Sequence, residues 1–358
     1  MHRVFLVALL IASLVGSSCD AGAPSSPPPQ SFEPLFSLVG DFALGPATDR
    51  VDYQSVDPTS QRLYIAKMGA GKLLVFDLMH SKVTAELDGF PKVTGVLAVP
   101  ELHRLYASVP GVGLVPSLLV GLGMMGLTSG SGALAVLDTA NLREIARLPG
   151  GVFPDGIAYD PTEHRIFVSD ELGSAVLVID ANENRLVARI ATGGEVGNVR
   201  YDPLTSRVYV PIQSRDELAV IDPVKAVVIS KYKLTGGQHP HGLAVAPGAA
   251  IGYVACDAND VLLAVDLATG NTLGRRPVAR DPDVLAVDPK NKRLYVASES
   301  GTLSTYDITN PASPVTLQDV FVGEDAHSVA VDPETHRLYF PLANLHGHSV
   351  MRVLSPKT

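Results

Sequence analysis

Short apolar runs separated by Gly, Pro, Asn and Asp fill the chain from about residue 35 onward. In one stretch they fall at Gly156–Tyr159, Arg165–Ser169, Ala175–Ile179 and Arg185–Ile190, rich in Val, Ile, Leu and Tyr, which predicts four successive strands. This four-run pattern is tied to a recurring phrase: apolar-Ala-apolar-Asp-Pro, three residues, then Arg-apolar-aromatic. Clear copies are Ile157-Ala158-Tyr159-Asp160-Pro161 with Arg165-Ile166-Phe167, and Val329-Ala330-Val331-Asp332-Pro333 with Arg337-Leu338-Tyr339. The phrase Asp falls at Asp57, Asp160, Asp202, Asp288 and Asp332, and Val99 and Ala246 take its place in two degenerate copies. Successive copies are therefore 42, 61, 42, 44, 42 and 44 residues apart. A period in the low forties with four strands per repeat predicts propeller blades. Seven copies predict an all-β, seven-bladed β-propeller of four-stranded blades over residues 35–356. The last copy has only three runs, Ser328–Val331, Arg337–Phe340 and Ser349–Leu354. An open blade would leave an unpaired edge, so the strand read over Leu35–Phe42 is expected to complete blade seven and close the ring.

The repeat also serves as a ruler. The phrase Asp and Arg read as turn residues, since Asp accepts bonds from nearby backbone N–H groups and Pro presets φ. Five residues before the phrase Asp, where each first strand begins beside the axis, stand Asp52, Thr94, Asp155, Gly197, His241, Asp283 and His327. Carboxylates and imidazoles converging there suit a divalent metal or proton transfer. A wet channel mouth also accepts polar side chains freely. Five of the ten histidines map to this same face: His239, His241, His327, His346 and His348, the candidate metal ligands. Lys67, Asp170, Glu171, Gln213, Arg215, Asp257, Glu299 and Asn344 read individually as solvated loop residues on it. Two residues before the phrase Asp, four repeats have Ala and two have Ser55 and Leu97, but the fourth has Arg200. Arg200 either binds an anionic ligand in the channel wall or forms a salt bridge, to Glu195 or a ring Asp.

The one long spacing marks an uncharged, Gly-rich and apolar insertion, 109–132, between the second and third strands of blade two. Three roles stay open for it: a lid over the mouth, a membrane or partner contact, or a loop folded onto its blade.

Outside the repeat, His2-Arg3, the apolar stretch Val4–Val15 and Gly16-Ser17-Ser18-Cys19 form an export signal over residues 1–19, too short to span a bilayer. Cys19 after small residues is similar to a lipoprotein cleavage site, with Gly16 where Leu is usual, so lipid anchorage and plain secretion both stand. Residues 20–34, rich in Pro and Ser, read as a linker. The expected location is exported, periplasmic or at the cell surface. Cys256, the remaining cysteine, reads as a buried small hydrophobe. A net charge of −9 without a basic run argues against a nucleic-acid partner.

The second-strand phrases Tyr64-Ile65-Ala66-Lys67, Tyr209-Val210-Pro211-Ile212, Tyr253-Val254-Ala255-Cys256 and Tyr295-Val296-Ala297-Ser298, with third-strand endings such as Val178-Ile179-Asp180, resemble the YVTN-type β-propellers of exported bacterial and archaeal proteins. The resemblance covers roughly residues 32–354 and lacks the literal Thr-Asn. It implies the fold and a binding or scaffolding role. Related propellers include lactone hydrolases and streptogramin lyases, and Pro240-His241-Gly242 is similar to a phrase of the lyases, whose channel-mouth His works with a divalent metal. The expected function is binding of a small ligand, metal or envelope protein at the mouth, through Asp52, Asp155, Arg200, His241, Asp283 and His327. The alternative is a metal-dependent hydrolase or lyase using the same ring.

Overall fold

The computed structural model describes residues 34–111 and 132–357. Seven antiparallel four-stranded sheets follow the order of the repeats. Blade three is Pro154–Asp160, Arg165–Asp170, Ala175–Asp180 and Arg185–Ala191, within a residue or two of the predicted strands. Blade five is Pro240–Ala246, Ile251–Cys256, Val261–Asp266 and Thr272–Pro277, and blade six is Pro282–Asp288, Arg293–Ser298, Thr302–Asp307 and Val315–Phe321.

Local chemistry explains the recurrence. In blade one the Asp57 carboxylate accepts the backbone N–H groups of Thr59 (2.9 Å) and Ser60 (3.2 Å) and the Ser60 hydroxyl (2.7 Å). Asp160, Asp202 and Asp332 bond their own turns likewise. The turn delivers the chain into the second strand, whose aromatic, seven residues after the phrase Asp, is fully buried: Tyr64, Tyr106, Phe167, Tyr209, Tyr253, Tyr295 and Tyr339. Each ring packs with apolar side chains of its own and the neighbouring blade, as Tyr295 does with Phe36 at 6.2 Å between centroids. Burial of such a side chain contributes about 2–3 kcal/mol.

Blade seven confirms the expected closure. Its sheet runs Ala330–Val331, Leu338–Leu345, His348–Pro356 and then Phe36–Pro46 outermost. Asp41 lies opposite Arg352 in this pairing. The Arg352 guanidinium grips the Asp41 carboxylate bidentately, Nε to Oδ1 and Nη2 to Oδ2, both at 2.7 Å. Lys67 adds a tie to blade one, its Nζ donating to the carbonyls of Leu44 (2.8 Å) and Pro46 (2.9 Å). The inner strand of blade seven is shorter than expected, two residues instead of four.

The export signal with Cys19, and the linker to residue 33, lie outside the described residues, as does the body of the insertion, 112–131. The insertion's flanks hold the expected positions: Val109 ends the second strand of blade two and Gly132 begins the third.

Candidate functional site

A cavity of about 680 Å³ opens at one end of the channel. Three repeat positions build it. The first is the ring five residues before the phrase Asp, of which Asp52, Thr94, Asp155, His241 and Asp283 line the cavity. The second lies seven before it, on the inter-blade connections: Arg50, Phe153, His239 and Asp281. The third lies eleven after it, where second strands end: Met68, Glu171, Gln213, Asp257 and Glu299. Tyr53 and Pro282 complete the lining.

The blades bring these groups close because small residues let backbones touch. A Cβ on Gly197 would meet the His241 carbonyl at 2.4 Å, and one on Gly242 would meet the Asp283 carbonyl at 2.1 Å. Gly197 therefore spaces the ring rather than serving as a ligand. Thr94 is also structural, its hydroxyl donating to the Pro154 carbonyl at 2.8 Å.

His241 is a hub. Its Nε2 lies 3.3 Å from Asp283 Oδ1 and 3.5 Å from the Tyr53 hydroxyl. Its Nδ1 lies 3.2 Å from Gln213 Oε1. The Gln213 amide nitrogen donates to Glu171 Oε1 (3.1 Å) and the Val196 carbonyl (2.9 Å), so its oxygen must face His241, and Nδ1 must carry a proton. Burial alone would lower the His241 pKa, but the hydrogen bond and charge of Asp283, with Glu171 and Asp155, raise it to about 10. Tyr53 reaches across the channel to donate to Asn198 Oδ1 at 2.7 Å.

Arg50 is the other hub. Its guanidinium bonds both Glu299 oxygens, at 2.9 and 3.4 Å, and lies 3.7 Å from Asp52 and 3.9 Å from Asp283. Burial would lower its pKa, but Asp52, Glu299 and Asp283 together raise it.

The carboxylates separate into two groups. Burial, with the charges of Glu171 and Asp52 nearby, drives Asp155 well above the usual carboxylate range. Burial likewise raises Glu171, against the pull of His241, and Glu299, against that of Arg50. Asp283 goes the other way: burial would raise it, but His241, His327 and Arg50 hold it low. Opposed shifts in one cleft are typical of functional sites.

His327 lies fully buried behind the lining. Its Nδ1 is committed to the Asp325 carbonyl (2.9 Å) and carboxylate (3.1 Å), while Nε2 has no hydrogen-bond partner among the described residues and lies 3.9 Å from Asp52. One ligand atom each from His327, Asp283 and Glu299 lie within 4.8 Å of one another. This donor set suits a divalent ion, which would have to displace Arg50 from Glu299.

The remaining candidates divide. His239 lines the cavity, its Nδ1 2.7 Å from Asp257 Oδ1. His346 and His348 are exposed in the last hairpin of blade seven and do not join the lining, because that hairpin carries them beyond the mouth. Arg200 lies on the far side of Tyr53, in a second cavity of about 370 Å³. The expected salt bridge to Glu195 or a ring Asp is not formed: among the described residues no carboxylate approaches Arg200 within 4.0 Å, and its Nη1 donates to the Val199 carbonyl at 2.8 Å.

Nothing in the local sequence around Arg50 and Tyr53 marks them as site residues, and Glu171, Gln213, Asp257 and Glu299 look like solvated loop residues in isolation. The signal existed: the same ruler, applied seven before and eleven after the phrase Asp, finds all but Tyr53, which the residue following Asp52 supplies.

No known family profile and no curated relative matches the chain. Among solved structures it is similar to hydrazine synthase of Kuenenia stuttgartiensis, with TM-score 0.67 and 17% identity over 87% of this chain and 96% of that one. It is also similar to a chain of the mitotic checkpoint complex, with TM-score 0.69 and 11% identity over 97% of this chain and 99% of that one. At such identities the likeness carries the fold alone: the chain is a seven-bladed β-propeller.

Proposed function

We propose that this chain is an exported, YVTN-type binding propeller whose channel mouth takes a small cationic ligand. The observation that carries the reading is the charge of the lining: Asp52, Asp155, Glu171, Asp257, Asp281, Asp283 and Glu299 against the single guanidinium of Arg50 and two histidines. A concave site walled by carboxylates focuses an attractive field on cations. Asp155, Glu171 and Glu299, held above the usual range by burial, ionise when a cation replaces the lost solvation, so binding releases protons. The cavity lies in the size range of small-molecule sites. Export rests on residues 1–19, and attachment through Cys19 would tether the propeller to a membrane.

A thermal-shift screen tests the reading. Mg²⁺, Ca²⁺, Zn²⁺ and primary alkylammonium ions are compared with uncharged analogues and sodium chloride at matched ionic strength. A saturable rise in Tm with at least one cation, reduced in Glu299→Gln, is expected; no shift with any of them overturns it.

A second reading, a metal-dependent hydrolase or lyase, is favoured by the convergence of Asp283, Glu299 and His327 with an unpartnered His327 Nε2. A bound divalent ion would polarise a carbonyl or activate water. The chain's own residues would then hold the ion through that trio and keep an exchangeable proton on Asp155. Metal analysis of the purified protein and a lactone panel with and without chelator decide it: no metal and no turnover remove this reading.

A further inference from the structure

The channel is not acidic throughout. Beyond Tyr53 lies the second cavity, about 370 Å³, with a mixed wall: apolar groups such as Leu97, Val284, Leu285 and Val329 alongside polar groups such as Gln54, Ser55 and Arg200. Repeat register explains the walls. Four of the seven residues that stand two before the phrase Asp, Ser55, Leu97, Ala158 and Arg200, line the cavity. Six blades supply a small or apolar residue there and one supplies a guanidinium.

Arg200 is half-buried in the wall of this cavity and lacks a counter-charge. A guanidinium carries five N–H donors. Here one bond is made, from Nη1 to the preceding carbonyl, and among the described residues no carboxylate lies within 4.0 Å. The acidic lining residue of this cavity, Glu101, is exposed and is not paired with Arg200. The acidic influences on Arg200 come from Tyr53 and Asp155, and burial pushes both well away from their ionised forms. Burial correspondingly lowers the Arg200 pKa. A partly desolvated guanidinium with free donors and no counter-charge is suited to an anion, which on entering the cavity would make charge-assisted, bidentate bonds to it.

We propose that this inner cavity is a binding site for a small monoanionic carboxylate with an apolar body, anchored by Arg200. A single cation matches a single negative charge, and the apolar part of the wall, Leu97, Val284, Leu285 and Val329, matches a hydrocarbon or aromatic remainder rather than a fully hydrated dianion. The inference does not rest on the cationic reading of the mouth.

The test is calorimetric titration of the purified protein with acetate, butyrate, benzoate, benzyl alcohol and inorganic phosphate, in wild type, Arg200→Gln and Arg200→Lys. Butyrate or benzoate should bind more tightly than acetate, benzyl alcohol should not bind, and Arg200→Gln should weaken carboxylate binding by about tenfold or more. Arg200→Lys should retain part of the affinity, which keeps the test open if the Gln variant folds poorly. Without ligand, Arg200→Gln should be at least as heat-stable as wild type, since it removes an uncompensated charge. Absence of carboxylate binding, binding unchanged by both substitutions, or phosphate binding more tightly than benzoate would each overturn the proposal. Cation binding at the mouth should be unaffected by Arg200→Gln, so the two readings fail separately.

Discussion

His241 begins blade five and Asp283 begins blade six, and their Nε2 and Oδ1 atoms stand 3.3 Å apart beneath the channel mouth. The pair adds a charged link between two blades that also share an apolar core, in which Ala244 and Tyr253 pack with Leu285 and Val296. Asp283→Asn leaves the imidazolium and Arg50 with an uncharged neighbour and should cost about 3 kcal/mol, read by urea unfolding. Replacing both members, with His241→Gln added, should cost less than Asp283→Asn alone, a coupling that an unimportant contact would not show.

Blade seven closes through Asp41 and Arg352, a bidentate pair in which Arg352 is almost wholly buried. Arg352→Ala should lower stability by about 2–4 kcal/mol and increase proteolysis at the N-terminal strand. A change under about 0.5 kcal/mol would show that strand pairing alone carries the closure.

The ring was legible in the sequence because a repeat converts sequence distance into angular position. Asp52, Asp155, His241 and Asp283 hold one repeat position and do meet at one cavity. Arg50, Glu171 and Glu299 were harder to see because connections and strand ends, which look solvated in isolation, are folded inward at this face. The pairing of Arg50 with Glu299 spans blades one and six, a relation that no local pattern contains. Arg200 stood out as an exception to its repeat position, but only the structure shows that Tyr53 separates it from the mouth.

His239 gives a pH-dependent readout. Its hydrogen bond to Asp257 raises its pKa above the ordinary histidine value, against partial burial. A raised pKa contributes stability that is complete below the unfolded-state value and is lost as pH rises through the folded-state value. The pair is partly exposed, so the contribution is under about 1 kcal/mol. NMR titration should find the His239 midpoint above 6.5, the ordinary histidine pKa, and Asp257→Asn should bring it down.

Two second-strand tyrosines should respond oppositely to loss of the hydroxyl. Tyr209 OH bonds the Leu267 carbonyl (3.1 Å) and Thr205 Oγ1 (3.0 Å), whereas Tyr253 OH is buried without a partner among the described residues. Tyr209→Phe should cost about 1 kcal/mol and Tyr253→Phe should be neutral or stabilising, as measured by denaturant midpoints.

The most direct measurement of the mouth as a cation site is calorimetric titration of the best cation from the thermal-shift screen into wild type and into Glu299→Gln/Asp257→Asn. These two carboxylates line the cavity and are partly exposed, so their neutralisation should leave the fold intact. Saturable binding to wild type, with proton release and an affinity loss of about tenfold or more in the double variant, is the predicted result. Equal affinity for the two proteins, or equal binding of an uncharged analogue, would contradict it.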